Sequence, residues 1–275
     1  GNIGIEFANL YARLGAEVTA FESGDRILKR EDADVAALAQ QYLEEDGVRF
    51  HFNAVTKEIK NVGDTVVVVT ESGEEFVFDA LLHATGRKAN TERLGLENTD
   101  IQVRPNGSIV TDDTLMTSVP NVFAVGDVNG GQQFTYVSLD DFRIVNRVLH
   151  GDESYKLGNR AHVPYSTFIT PALSHVGLHE EEAKAQYPNA VTVALPVNNM
   201  PRHAVNQDPR GVFKLTVNKD TGLILGATLF GKNSEELINI IKMAMDNDIK
   251  YTYLRDQIFT HPTMAENLND LAKLV

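Results

Sequence analysis

Three groups of residues have types and spacings that could do chemistry. The first is His261-Pro262-Thr263-Met264-Ala265-Glu266. A carboxylate five residues after an imidazole, with a proline to set the turn, can hold the ring in one tautomer and tune it as a proton carrier. The same residues have a plainer use. Thr263-x-x-Glu266 fits a capping box, with Thr263 as N-cap and Glu266 at N3. A histidine before proline also suits a buried structural role. The two uses are compatible, because Glu266 can cap with one oxygen and hold an imidazole with the other.

The second group opens the chain. Gly1 and Gly4 fit the last two glycines of a G-x-G-x-x-G turn. Such glycines let backbone approach a pyrophosphate, and the following helix start adds N–H groups and a favourable dipole. Glu22 closes the next strand about 20 residues on, where a carboxylate binds both hydroxyls of an adenosine ribose. It would repel a 2′-phosphate, which favours NADH, although Arg26 and Lys29 keep NADPH possible. A surface glutamate and a simple helix cap account for the same residues. Glu6 lies one turn into the helix, on the side of a nicotinamide or simply facing solvent.

The third group is Val122-Phe-Ala-Val-Gly126-Asp127, an apolar run ending in Gly-Asp. Open α/β sheets bind ligands at the carboxyl ends of strands, where Asp127 could bond a ribose or ribityl hydroxyl. A helix starting near Thr135 would aim its amino terminus at the same place. A Gly-Asp turn is also common in any α/β protein. His175 and His179 stand four apart, as helical zinc ligands can, but Gly177 between them argues against a helix, and they read as non-ligands.

These groups need elements to position them. Ile3, Phe7, Leu10, Tyr11 and Leu14 give a helical stripe that Gly15 ends. Residues 17–22 read as a strand. A helix from Asp32 or Asp34 reaches about Glu45, and residues 48–52 form the next strand. Residues 65–70 and 75–78 read as a hairpin about Ser72-Gly73, and residues 79–85 as a buried strand. Residues 121–125 are predicted as another buried strand, 139–149 as a helix and 152–160 as a linker. Beyond it, strands at 192–196, 212–218 and 224–230 alternate with helices at 180–186 and 234–246, the pattern of an α+β domain. Met264, Leu268, Leu271 and Val275 stripe a terminal helix.

Composition narrows the classes. The 275 residues are 43% hydrophobic and 23% charged, the balance of a globular protein, with no run long enough for a membrane helix. A net charge of -13 argues against nucleic acid or an anionic membrane as partner. The chain has no cysteine, so it supplies no disulfide and no thiolate. Gly1 reads as the tail of a strand-to-helix turn, so the chain is expected to be a piece of a longer one. A piece whose sheet lacks its first strand is expected to be unstable by itself.

Four motifs in order resemble the FAD- and NAD(P)-dependent pyridine nucleotide–disulfide oxidoreductases, the family of glutathione reductase, dihydrolipoamide dehydrogenase and mercuric reductase. They are Gly1-x-x-Gly4-x-Glu6-Phe7-Ala8, Ala84-Thr85-Gly86-Arg87, Phe123-Ala-Val-Gly126-Asp127 and His261-Pro262-Thr263-x-x-Glu266. Residues 134–145 and 254–262 resemble a bacterial branch related to mercuric reductase.

The resemblance implies a truncated doubly wound NAD domain over residues 1–86 and a returning part of an FAD domain over 87–152. It implies an α+β dimerisation domain over 153–275. It implies a cytoplasmic homodimer that uses FAD and NADH. Hydride would pass to the flavin, then to an upstream disulfide, then to an oxidant, a disulfide or a metal ion. By the same likeness Gly86 belongs to a cofactor-binding turn, Asp127 binds the flavin ribityl chain, and Thr135 to Val137 lie under the flavin pyrimidine edge. Glu6 pairs with an upstream lysine beside the flavin. His261 and Glu266 are an acid–base pair lent to the other subunit. Asn2 departs from the pattern, standing where many relatives have a tyrosine that gates the nicotinamide pocket.

Overall fold

The computed structural model describes residues 1–275. It separates into two compact units, Gly86–Ala161 and the combination of Gly1–Thr85 with His162–Val275.

The larger unit begins with helix α1, Asn2–Arg13. The stripe read from the sequence, Ile3, Phe7, Leu10, Tyr11 and Leu14, is exposed throughout, and Ile5, Ala8 and Asn9 face inward instead. Strand β1 (Val18–Phe21), helix α2 (Ala33–Glu45) and strand β2 (Val48–His51) follow. β1 and β2 pair in parallel, as a helical crossover requires. Val35, Ala36, Ala39 and Leu43 of α2 pack under this pair with Ile5, Ala8 and Val48. The expected hairpin is present as β4 (Thr65–Thr70) and β5 (Glu75–Phe78), but β3 (Thr56–Val62) precedes it and makes a three-stranded meander. β3 escaped the sequence reading because its residues are all exposed, which leaves no apolar alternation.

Residues 79–85 correct the sequence expectation. They form no strand, and Leu81 and Leu82 are exposed. A strand exists through its neighbour's hydrogen bonds, and no strand of this chain pairs with that segment.

Residues 121–125 also form no strand, only a bridge between Met116 and Phe123, with Ala124 buried while Val122 and Val125 are exposed. The smaller unit instead rests on loops around helix α3 (Thr135–Leu149). Its expected linker is structured. Leu157 N–H donates to the Asp113 carbonyl, and Arg160 donates to Asp140 at 2.7 Å and to Asp141.

From His162 onward the chain builds a five-stranded antiparallel sheet. Its members are β6 (Tyr165–Thr167), β7 (Leu173–Gly177), β8 (Ala190–Pro196), β9 (Val212–Asn218) and β10 (Ile224–Phe230), in the order β6-β7-β10-β9-β8. Helices α4 (Glu180–Gln186), α5 (Arg202–Asn206), α6 (Ser234–Asp246), α7 (Tyr251–Asp256) and α8 (Asn267–Lys273) accompany it.

The sheet's two faces differ. Val176, Leu215, Val217, Ala227 and Leu229 join Ile238, Ile241, Leu268 and Leu271 of α6 and α8 in one apolar core. The residues alternating with them include His175, Lys214, Thr216 and Thr228, also buried. Leu173 and Phe230 join the core beneath α1 and α2. The α1 helix is also riveted to the 168–170 turn, where Glu6 and Asn9 accept the Phe168 and Thr170 N–H groups at 2.8 and 2.9 Å.

Candidate functional site

His261 and Glu266 meet directly. The His261 Nδ1 lies 2.8 Å from Glu266 Oε2. An ionised carboxylate only accepts, so Nδ1 carries the proton and Nε2 is left as the working nitrogen. The His261 side chain is 75% exposed and that of Glu266 is 18% exposed, so the carboxylate is sheltered while the ring projects.

The surrounding turn fixes this pair. The His261–Pro262 peptide is cis. Thr263 Oγ1 donates to the Thr260 carbonyl at 2.7 Å and accepts the Glu266 N–H at 3.3 Å. Arg202 holds the Pro262 carbonyl at 3.0 Å. Behind the turn, α8 buries Leu268 and Leu271, each worth roughly 1.5–3 kcal/mol of burial.

The capping box forms only by half. The Thr263 hydroxyl takes the Glu266 N–H, but the Glu266 carboxylate does not return to cap, and α8 begins one residue later, at Asn267. Glu266 Oε1 is buried with no hydrogen-bond partner. The imidazole therefore has the carboxylate's one engaged oxygen to itself.

At the amino end, Gly1 is the N-cap position of α1 and no side chain caps that start. A Cβ on Gly1 would meet nothing within 4 Å, whereas one on Gly4 would stand 3.4 Å from the Ala84 Cβ. Gly4 thus serves close packing of α1. Glu22 Oε1 accepts the Gly24 N–H at 2.9 Å and stands 3.5 Å from Lys29 Nζ. The acid expected for a ribose is held in a tight turn, with a cation at its side.

In the smaller unit, Gly86 has φ +136 with open space at its Cβ position. Arg87 Nη1 donates to Asp127 Oδ2 at 2.9 Å, and both side chains are near half exposed. Gly126 has φ +70, and a Cβ there would come 2.8 Å from Ser138 Oγ. Helix α3 begins at Thr135 with no side-chain cap, and Val137 in its first turn is buried. Burial pushes the Tyr136 hydroxyl up to about 12, so it stays protonated.

One residue escaped the sequence reading. Asp141 is 1% exposed, and its Oδ2 accepts the Gly126 N–H at 2.7 Å and Asn129 Nδ2 at 2.9 Å. Its Oδ1 takes the Arg160 guanidinium. Arg160 is held above its ordinary range because Asp141 and Asp140 outweigh the burial that would lower it. The available signal was a charge on the buried stripe of a helix, four residues after Val137 and three before Ile144.

The residues fit the groups that a dinucleotide enzyme needs. The start of α3 lacks a side-chain cap, Asp127 presents an exposed carboxylate, and Gly126 has no room for a side chain. The geometry defines a dinucleotide-binding α/β protein whose imidazole–carboxylate pair sits on an antiparallel-sheet domain. The chain belongs to the pyridine nucleotide-disulphide oxidoreductases: residues 1–141 match that family's model and residues 163–272 its dimerisation domain.

The chain is 46% identical over its whole length to the probable pyridine nucleotide-disulfide oxidoreductase RclA of Escherichia coli, spanning 62% of that protein. It is 32% identical to a mercuric reductase of Staphylococcus aureus, covering 98% of this chain and 49% of that one. The solved structure of the HOCl-induced flavoprotein disulfide reductase RclA from Escherichia coli superposes with a TM-score of 0.95 at 45% identity, covering all of this chain and 63% of that one. Enzymes of this family use FAD and NAD(P)H. No helix is long and apolar enough to cross a membrane.

Proposed function

We propose that these residues form the nicotinamide-binding part, one flavin-contacting part and the dimerisation domain of an FAD-dependent oxidoreductase. It passes reducing equivalents from NADH through a redox disulfide to an oxidant, a disulfide or a metal ion. The observation that carries this reading is the 2.8 Å bond between His261 and Glu266 on a ring left open to the surface.

FAD, when bound, supplies the two-electron chemistry that joins a nicotinamide to thiols. The other roles fall to this chain. Asp127 binds ribityl hydroxyls with its exposed carboxylate. The α3 start at Thr135 to Val137 directs N–H groups and dipole toward negative charge. Gly1, Asn2 and Gly4 let a pyrophosphate approach the α1 start, Glu22 takes the ribose hydroxyls, and Gly86 keeps its turn free of a side chain. Glu6 keeps one oxygen on the Phe168 N–H and offers the other toward a lysine outside these residues. His261 Nε2 takes and returns the thiol proton while Glu266 holds Nδ1.

The chain has no cysteine, so the thiols belong to residues outside these 275. The pair acts in the active site of a second subunit, which makes the homodimer the working unit. Mercuric reductase stands among the relatives, and one similar structure is described as a Cu(II) complex of RclA. Both names support an oxidising metal ion as one acceptor class.

The test is stopped-flow reduction and reoxidation of the full-length FAD-loaded dimer. His261→Ala should slow reoxidation by about 10²–10⁴-fold, the worth of a positioned acid–base group, with flavin reduction by NADH nearly intact. Equal loss in both half-reactions would overturn the assignment. Turnover with Cu(II), Hg(II), lipoamide and glutathione disulfide in parallel sorts the acceptors.

A further inference from the structure

The polar face of the five-stranded sheet carries a second cluster, outside the residues used above. His175 projects from β7 among buried residues. The chain then turns at Gly177, whose φ of +82 and 2.4 Å approach of the Leu225 carbonyl to a would-be Cβ require glycine. That turn delivers His179 to the N-cap of α4. The two imidazoles consequently stack, with centroids 3.7 Å apart and planes 13° apart. No helix connects them, as Gly177 predicted, yet the turn brings them as close as a helix would. Glu31, just before the N-cap of α2, enters from the other side and is 4% exposed.

One donor atom from each of Glu31, His175 and His179 lies within 4.8 Å of the other two. His175 is fully bonded, with Nδ1 2.9 Å from Thr228 Oγ1 and Nε2 donating to the Gly177 carbonyl at 3.0 Å, so its ligation requires the Thr228 hydroxyl to give way. The hydrogen bonding of Glu31 and His179 is incomplete. Glu31 Oε1 accepts the Tyr165 hydroxyl at 2.7 Å, but Glu31 Oε2 is buried without a partner. His179 Nδ1 is likewise buried without a hydrogen bond, 3.8 Å from the Asp32 carboxylate. Leaving buried polar atoms unpaired is destabilising unless something completes them.

The surrounding charge specifies the sign of what completes them. Lys214, buried on the same sheet face, is shared by three carboxylates, Asp32, Asp34 and Glu180, at 2.8–3.0 Å. Lys184 also reaches Glu180 at 2.8 Å, so two ammoniums face three carboxylates, which leaves the neighbourhood negative before Glu31 is counted. A cation is favoured there and an anion is not.

We propose that Glu31, His175 and His179 bind one divalent transition-metal ion of the zinc–copper class. Two imidazoles and a carboxylate form a donor set that suits these borderline ions, and the hard ions calcium and magnesium prefer all-oxygen sets. Bonds near 2.0 Å in a tetrahedron need donor separations of about 3.3 Å, so the three side chains close by an ångström or so on binding. Tyr165 holds the Glu31 carboxylate as an outer partner of a metal ligand does. The ion clips the turn before α2 to β7 and the start of α4.

Zinc ion is the suitable probe because it brings no redox chemistry. The full-length FAD-loaded protein, with all thiols alkylated, is dialysed against buffered Zn²⁺ and the bound metal is counted by mass spectrometry. The expected result is one equivalent per subunit and a melting temperature raised by zinc. Glu31→Gln and His179→Ala should each weaken zinc binding by more than about 100-fold, beyond the loss from an outer partner. His162→Ala, a surface histidine of the same unit, should bind as the parent does. All three variants should retain NADH-driven flavin reduction and a cooperative melt, which separates lost ligation from lost folding and leaves the oxidoreductase reading independent. No stoichiometric zinc in the parent, or binding unchanged in Glu31→Gln and His179→Ala, overturns the site.

Discussion

His261 and Glu266 are joined through one carboxylate oxygen at 2.8 Å, while the other oxygen of Glu266 is buried and unpartnered. The carboxylate is thus committed to the imidazole and is spared from capping α8. Glu266→Gln keeps an acceptor for Nδ1–H but removes the charge that favours the imidazolium. Reoxidation should slow by about 10–100-fold in Glu266→Gln and further in Glu266→Ala, where the ring also loses its orientation. Single-turnover reoxidation of the reduced enzyme measures both. Identical rates in the two variants would deny the carboxylate an orienting role.

Asp141 and Arg160 make a prediction about stability and flavin retention together. Asp141→Ala strands the Gly126 N–H and the Asn129 amide and leaves Arg160 with Asp140 as its remaining carboxylate, so it should cost about 1–3 kcal/mol, the penalty for unpaired buried polar groups. Because the Gly126-Asp127 turn loses its anchor, FAD should also dissociate more readily. Denaturant midpoints and released flavin fluorescence report the two effects. Full stability in Asp141→Ala would contradict the hub assigned here.

Gly126 separates two costs that usually travel together. Gly126→Ala pays for φ +70, roughly 1–2 kcal/mol, and for a 2.8 Å clash with Ser138 Oγ. The double variant Gly126→Ala/Ser138→Ala relieves only the clash. It should recover part of the lost stability, and full recovery would show that the backbone is not strained as described.

Glu22 and Lys29 should set the choice of nicotinamide. With Glu22→Ala the carboxylate that repels a 2′-phosphate is gone and Lys29 remains. The ratio of kcat/KM for NADPH over NADH should rise about tenfold or more, equivalent to about 1.4 kcal/mol. An unchanged ratio would place the ribose elsewhere.

What was legible beforehand followed from local periodicity. Helices α4 and α6 have the bounds read from the sequence, and β9 and β10 match as well, because each is a run whose pattern matches its own period. The His261–Glu266 pair was legible for the same reason, since five residues and a proline fix its reach. Elements that depend on distant partners were not. Residues 79–85 and 121–125 are apolar enough for strands but lack paired neighbours. β7 is short and pairs with β10 across about fifty residues of chain, a contact that no local window contains, and the three-residue β6 pairs with β7.

By itself the sequence determined the helices and strands with strong local periodicity, the family motifs and the candidate acid–base pair. Only the tertiary structure decided which polar residues are buried together. It placed Asp141 under the Gly126 turn, gave Glu6 the Phe168 N–H, and stacked His175 on His179 beside Glu31. The physical reason is that periodicity tells which face of an element turns inward. What waits on that face is set by strand pairing and chain turns over long separations, and there buried charge must find its partners.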